Sequence, residues 1–245
     1  YKDFKKGKGC ELSYLLGHYR LEIILAILFL KLNISANKIT LISMGLGVLG
    51  CIFITIGRPF IIIGGILLVI WALLDYVDGD VAHLSNSVSV VGGYLDSINA
   101  HLVGALTYIA LGFVAGDPKL FPFLHHIIDV PAPSLGLTLA IIYLSKRVIK
   151  SYAVMQGLYK YQASPTSTTE RRIYFYIGSL FEFPRLYTII VLVAILIDAL
   201  YEWLLLILLA HLVSLITEIH NIIKLAQDAL SRSNKNTGKQ PHISN

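Results

Sequence analysis

Apolar runs long enough to cross a lipid bilayer recur along nearly the whole chain of 245 residues, near 38–57, 58–78, 90–115, 133–154, 183–200 and 202–223. A hydrocarbon core about 30 Å thick needs about 20 helical residues per crossing. Within that core, backbone N–H and C=O groups must be bonded inside the segment itself. The runs therefore predict an all-α integral membrane protein with six transmembrane helices. A hydrophobic fraction of 56%, a charged fraction of 14% and a mean hydropathy of +0.70 place the chain outside the soluble range. The stretch near 11–32, ELSYLLGHYRLEIILAILFLKL, is broken at GHYR and apolar only in its second half. It reads as an N-terminal interfacial amphipathic helix, with a seventh span as the competing reading. Residues 1–228 then form a single transmembrane domain, and the polar stretch 229–245 is expected to be a disordered cytoplasmic tail.

Basic residues gather in alternate connections. They fill YKDFKKGKG at the start, the 146–172 region and SRSNKNTGKQ near the end, whereas the other connections hold little beyond Arg58, Lys119 and a few acids. Lys and Arg favour cytoplasmic loops, so both termini and the aspartate-rich 75–101 stretch are expected on the cytoplasmic side of the cytoplasmic membrane. The net charge of +5 sits mainly on that face. It suits anionic headgroups or phosphorylated substrates better than nucleic acid. Cys10 and Cys51, in an arm and a span, argue against a disulfide or a Cys-based zinc site. Gly45, Gly47, Gly50, Gly64 and Gly65 read as helix-packing positions. Trp71 reads as ordinary membrane structure, and Tyr201 with Trp203 as an interfacial belt.

The stretch DYVDGDVAHLSNSVSVVGGYLDSINAH sets four aspartates inside or beside two spans, of which Asp80 points away from the others and reads as solvated. Carboxylates at membrane depth are costly unless they pair, line a wet cavity or bind cations. Asp75 and Asp78 are three apart and share a helix face. Gly79 and Ala82 continue it with small side chains that let a ligand or helix approach the backbone. Gly92 and Gly93 open the next helix, which supplies Asp96. Three neighbouring carboxylates need counter-charge, and oxygen-only donors select Mg²⁺, Mn²⁺ or Ca²⁺. Divalent ions so held commonly grip phosphate oxygens.

These residues resemble the CDP-alcohol phosphotransferase family, whose motif is D-x2-D-G-x2-A-R-x8-G-x3-D-x3-D. Asp75, Asp78, Gly79, Ala82, Gly92 and Asp96 occupy six of its eight fixed positions. NISANKITLISM is similar to the segment that leads into the family's first span, with Asn37 and Thr40 matching and Ala36 in place of Pro. The motif arginine is His83 here, and the last motif aspartate is Ala100.

The resemblance implies transfer of a phosphatidyl or polar phospho-alcohol group from a CDP-alcohol to an acceptor alcohol, with release of CMP, in phospholipid biosynthesis. CDP-diacylglycerol is the favoured donor, in contact with membrane lipids. The resemblance also implies Mg²⁺ or Mn²⁺ in a two-metal site on Asp75, Asp78 and Asp96, and a homodimer. Asn37, Thr40, Asp78, Gly79, Ala82, His83 and Gly92 would bind the nucleotide. Lys146, Arg147, Arg185 and Arg20 would meet the acceptor or headgroup phosphate. Ala100 marks a missing base and metal ligand, with His101 the possible substitute, so a second metal should bind less well and catalysis should be impaired. A catalytically dead CDP-lipid-binding homologue and an ion-coupled transporter stay open as alternatives.

Overall fold

A computed structural model describes residues 18–116, 130–155 and 184–237. Among them every regular element is a helix: α1 (His18–Lys31), α2 (Ala36–Ile56), α3 (Ile61–Leu84), α4 (Val90–Val114), α5 (Ala132–Met155), α6 (Pro184–Leu196) and α7 (Leu200–Thr237). Five are long and apolar enough to cross a membrane: α2, α3, α4, α5 and the Leu200–Ser231 part of α7. The 183–200 run, expected to be a further span, is described from Pro184 as α6, which ends at Leu196.

Asp198 is the reason α6 stops. It takes a left-handed φ of 59°, while the Ala199 N–H bonds back to the Ala194 carbonyl and the Asp198 N–H to that of Ile195. That crossed pair closes the orphan carbonyls of a helix end. Asn33 and Asn86, with φ of 54° and 52°, end α1 and α3 with the same pattern. Short polar Asn and Asp visit this conformation most readily after glycine. At the other extreme, α7 continues to Thr237, into the stretch read as a disordered tail from 229. Once nucleated, a helix propagates cheaply through polar residues.

The chain divides into two units, one to Leu106 and one from Thr107. In the first, α2 and α3 form a hairpin that turns at Gly57, where φ is +82°. The two helices touch backbone to backbone: a Cβ on Gly64 would lie 2.6 Å from the Gly50 carbonyl and 2.7 Å from Ile54 N. Gly47 is filled by Val103 and Trp71, but Gly45 faces open space and is not a packing position.

Ala26 of α1 joins Ala36, Ile39, Leu74, Val77 and Val81 in a buried cluster. The acidic Glu22 of α1 is buried, while Leu21, Ile24, Ile27 and Leu28 are exposed. An exposed apolar face is what contact with acyl chains at the membrane interface favours.

In the second unit, Gly112 and Gly136 bring α4 and α5 into close backbone contact. Tyr108, Tyr143, Tyr187 and His211 form an aromatic cluster, in which the Tyr108 hydroxyl lies 2.9 Å from His211 Nε2. Tyr201 is buried and donates to the Val130 carbonyl at 3.0 Å. It is therefore a core residue rather than part of an interfacial belt. Trp203 stacks at a tilt on Tyr187.

Candidate functional site

The motif aspartates lie in the first unit, where α2, α3 and α4 meet. Asp75 and Asp78 stand one turn apart on α3, as their spacing requires. Asp78 is 4% exposed, and its Oδ2 accepts a 2.5 Å hydrogen bond from Thr40 Oγ1 on α2. Asp75 Oδ1 accepts from Asn99 Nδ2 on α4 at 2.8 Å. Asp96, on α4, is exposed and close enough to Asp78 for the two carboxylates to repel one another. His101 is within electrostatic range of Asp96 along the same unbroken helix.

Asn99 escaped the sequence reading. It is wholly buried and joins three helices, accepting from Trp71 Nε1 at 3.0 Å and donating to Ser43 Oγ at 2.9 Å as well as to Asp75. The Ser43 hydroxyl passes its own hydrogen to the Thr40 carbonyl at 2.8 Å. The available signal was its place three residues after Asp96, an amide one turn from a carboxylate in an apolar helix. Trp71 is likewise more than ordinary membrane structure. It is 3% exposed and supplies the donor that Asn99 accepts.

The nucleotide-site expectations are placed unevenly. A Cβ on Gly79 would meet nothing within 4 Å, so open space borders the backbone beside Asp78. A Cβ on Gly92 would lie 3.1 Å from Asn37 Oδ1, which puts these two residues side by side across α2 and α4. Thr40 is turned onto Asp78. Ala82 packs partly on the α1–α2–α3 cluster. His83 is exposed in the last turn of α3. Ala100 is half-buried beside Asn99.

Of the cationic residues, Lys146 and Arg147 belong to the second unit. Lys146 is 8% exposed, and the Arg147 guanidinium sits over the Tyr143 ring, 5.5 Å from its centroid. Arg20 and Arg185 fall in the first turns of α1 and α6. Arg171, Arg172 and Cys10 lie outside the described residues, as does the adjacent pair His125 and His126, whose neighbouring positions share no helical face for a metal.

The donor set of Asp75, Asp78 and Asp96 has the chemistry of a hard-cation site. Among the described residues, however, no three His, Cys, Asp or Glu side chains close on a common point. Asp78 is bonded to Thr40 and Asp75 to Asn99.

Fold and site together define a polytopic helical membrane protein with carboxylates gathered between three of its helices. The family profile of CDP-alcohol phosphatidyltransferases matches residues 33–216, and the chain belongs to that transferase family. It is also similar to an uncharacterized protein of Aquifex aeolicus (strain VF5), with 37% identity over 84 residues, covering 34% of this chain and 42% of that protein. The chain thus matches less than half the length of this relative.

Proposed function

We propose that the carboxylate site of the first unit serves the transfer of a phospho-alcohol group from a CDP-alcohol to an acceptor alcohol, with release of CMP. The tie between the motif helices carries this reading: Asp75 and Asp78 stand one turn apart on α3, and Asp75 is bonded at 2.8 Å to Asn99 of α4, the helix that bears Asp96. Asp75, Asp78 and Asp96 would hold Mg²⁺ or Mn²⁺, which neutralises charge on the phosphoryl oxygens. In the transfer, the acceptor oxygen bonds to the β-phosphorus. The bond from that phosphorus to the oxygen bridging to the α-phosphate breaks, CMP leaves with the electron pair, and the acceptor's proton passes to a base.

By resemblance that base is an aspartate at position 100. Alanine has no atom that accepts a proton, so the chain as written turns over slowly, with His101 the nearest candidate to accept it. Three carboxylates also leave a second divalent ion weakly held. Open space at Gly79 and the Asn37–Gly92 neighbourhood support a nucleotide subsite there, to which Thr40, Ala82 and His83 are assigned by resemblance.

CDP-diacylglycerol is the favoured donor, because a membrane-embedded site admits lipid laterally. Lys146, Arg147, Arg20 and Arg185 are proposed to receive an anionic headgroup on the strength of their charge. Six crossings with α1 at the interface, cytoplasmic termini and site in the cytoplasmic membrane, and a homodimer complete the reading. The distribution of basic residues supports the topology.

The test is CMP release by the purified chain, given CDP-diacylglycerol, Mg²⁺ or Mn²⁺ and a pool of alcohol acceptors, with Ala100→Asp in parallel. Faster release by Ala100→Asp supports the transferase. CDP-alcohol binding without release by either form points to a nucleotide-lipid-binding homologue. Absence of both binding and release rejects the reading and turns attention to ion-coupled transport.

A further inference from the structure

We propose that Asn99 is a positioning residue for the Asp75 carboxylate, and that the indole of Trp71 sets the direction in which Asn99 acts. An indole N–H can only donate, and that of Trp71 lies 3.0 Å from Asn99 Oδ1. The carbonyl end of the amide must therefore face Trp71. The NH₂ end is then turned to Asp75 Oδ1 at 2.8 Å and Ser43 Oγ at 2.9 Å. Ser43, accepting on that side, donates on the other to the Thr40 carbonyl at 2.8 Å. Reversing the amide would set Oδ1 against the Asp75 carboxylate and NH₂ against the indole N–H, two repulsive contacts around an amide that is itself wholly buried.

The consequence falls on Asp75. One of its oxygens is bound to α4, the helix that also carries Asp96, so two of the three carboxylates are referred to one rigid element. A neutral amide does this without the positive charge that would compete with a cation for the carboxylate. A lysine or arginine in its place would neutralise Asp75 and remove the reason for a metal. The inference rests on the metal reading above. Outer-shell partners of this kind change metal affinity by about 10- to 100-fold when removed.

The experiment measures Mn²⁺ binding to the purified chain in detergent, reading unbound Mn²⁺ from its EPR signal. It compares the parent, Asn99→Ala, Trp71→Phe and the double variant, each checked for monodispersity. Asn99→Ala is expected to raise the Mn²⁺ Kd by about tenfold or more. Trp71→Phe keeps the aromatic filling but removes the donor that holds Asn99 Oδ1, which loosens the amide's grip on Asp75, so it too raises the Kd. The double variant binds no more weakly than Asn99→Ala, because Trp71 acts through Asn99.

Lowered thermal stability with unchanged Mn²⁺ affinity is the signature of a merely structural amide and overturns the proposal. Additive effects of the two substitutions on Kd overturn the part assigned to Trp71. If Asn99→Ala does not fold, Trp71→Phe decides alone, and unchanged affinity there overturns the proposal. A parent chain that binds no Mn²⁺ overturns the metal reading and this one with it. A parent that binds while Asn99→Ala binds equally well overturns only the role of Asn99.

Discussion

Thr40 Oγ1 lies 2.5 Å from Asp78 Oδ2 and 3.1 Å from the Ala36 carbonyl. A hydroxyl has one hydrogen to give, and the shorter contact to a carboxylate takes it. A side chain near the start of α2 is thereby tied to a buried motif carboxylate on α3. Thr40→Val keeps the shape and removes the donor. It is expected to lower stability by about 1–3 kcal/mol, seen as a drop in the denaturation midpoint in micelles, with Thr40→Ser recovering most of it. A valine variant as stable as the parent would show that the bond contributes nothing.

Restoring a carboxylate at position 100 is the sharpest chemical test. Ala100→Asp is expected to raise metal-dependent CMP release by about 10²- to 10⁴-fold, the range over which a positioned general base acts. Residual release by the parent should fall further with His101→Gln. Release equal in the parent and Ala100→Asp would assign the proton to another group.

Metal removal should act through the motif carboxylates. EDTA is expected to abolish CMP release and excess Mg²⁺ to restore it, while Asp78→Asn and Asp96→Asn stay inactive at any Mg²⁺ concentration. Activity that survives EDTA would contradict the cation assignment.

Two glycines on neighbouring helices predict opposite outcomes. Gly64→Ala drives a methyl to 2.6 Å from the Gly50 carbonyl, whereas Gly45→Ala meets nothing within 4 Å. Overpacking of this sort costs about 1–3 kcal/mol. Gly64→Ala should thus lose thermal stability in detergent, and Gly45→Ala should match or slightly exceed the parent, since alanine favours the helix.

In the second unit, Tyr108→Phe removes the hydroxyl 2.9 Å from His211 Nε2. The expected loss is about 0.5–1.5 kcal/mol, measured by thermal unfolding, with CMP release by Ala100→Asp otherwise unchanged. A larger loss of activity than of stability would give Tyr108 a further role.

The membrane class, the helical fold and the carriers of the aspartates were all legible in the residues. Hydropathy reports burial in lipid directly, and the spacing of Asp75 from Asp78 places them on one face of any helix, whatever that helix packs against. The CDP-alcohol phosphotransferase resemblance drawn from the same spacing agrees with the family match over residues 33–216. Helix ends were less legible. Asp198 stood within an apolar run of spanning length, and only its left-handed backbone divides α6 from α7.

What the sequence determined by itself is therefore everything governed by local periodicity: which segments prefer lipid, which residues share a turn, and which carboxylates stand on neighbouring helices. What only the tertiary structure decided is how polar groups pair between helices. Thr40 meets Asp78 from 38 residues away, and Asn99 meets Ser43 from 56. No periodicity encodes those distances, because they arise from the close approach of α2 and α3 at Gly50 and Gly64 and from the need of each buried polar group to find a partner once water is gone.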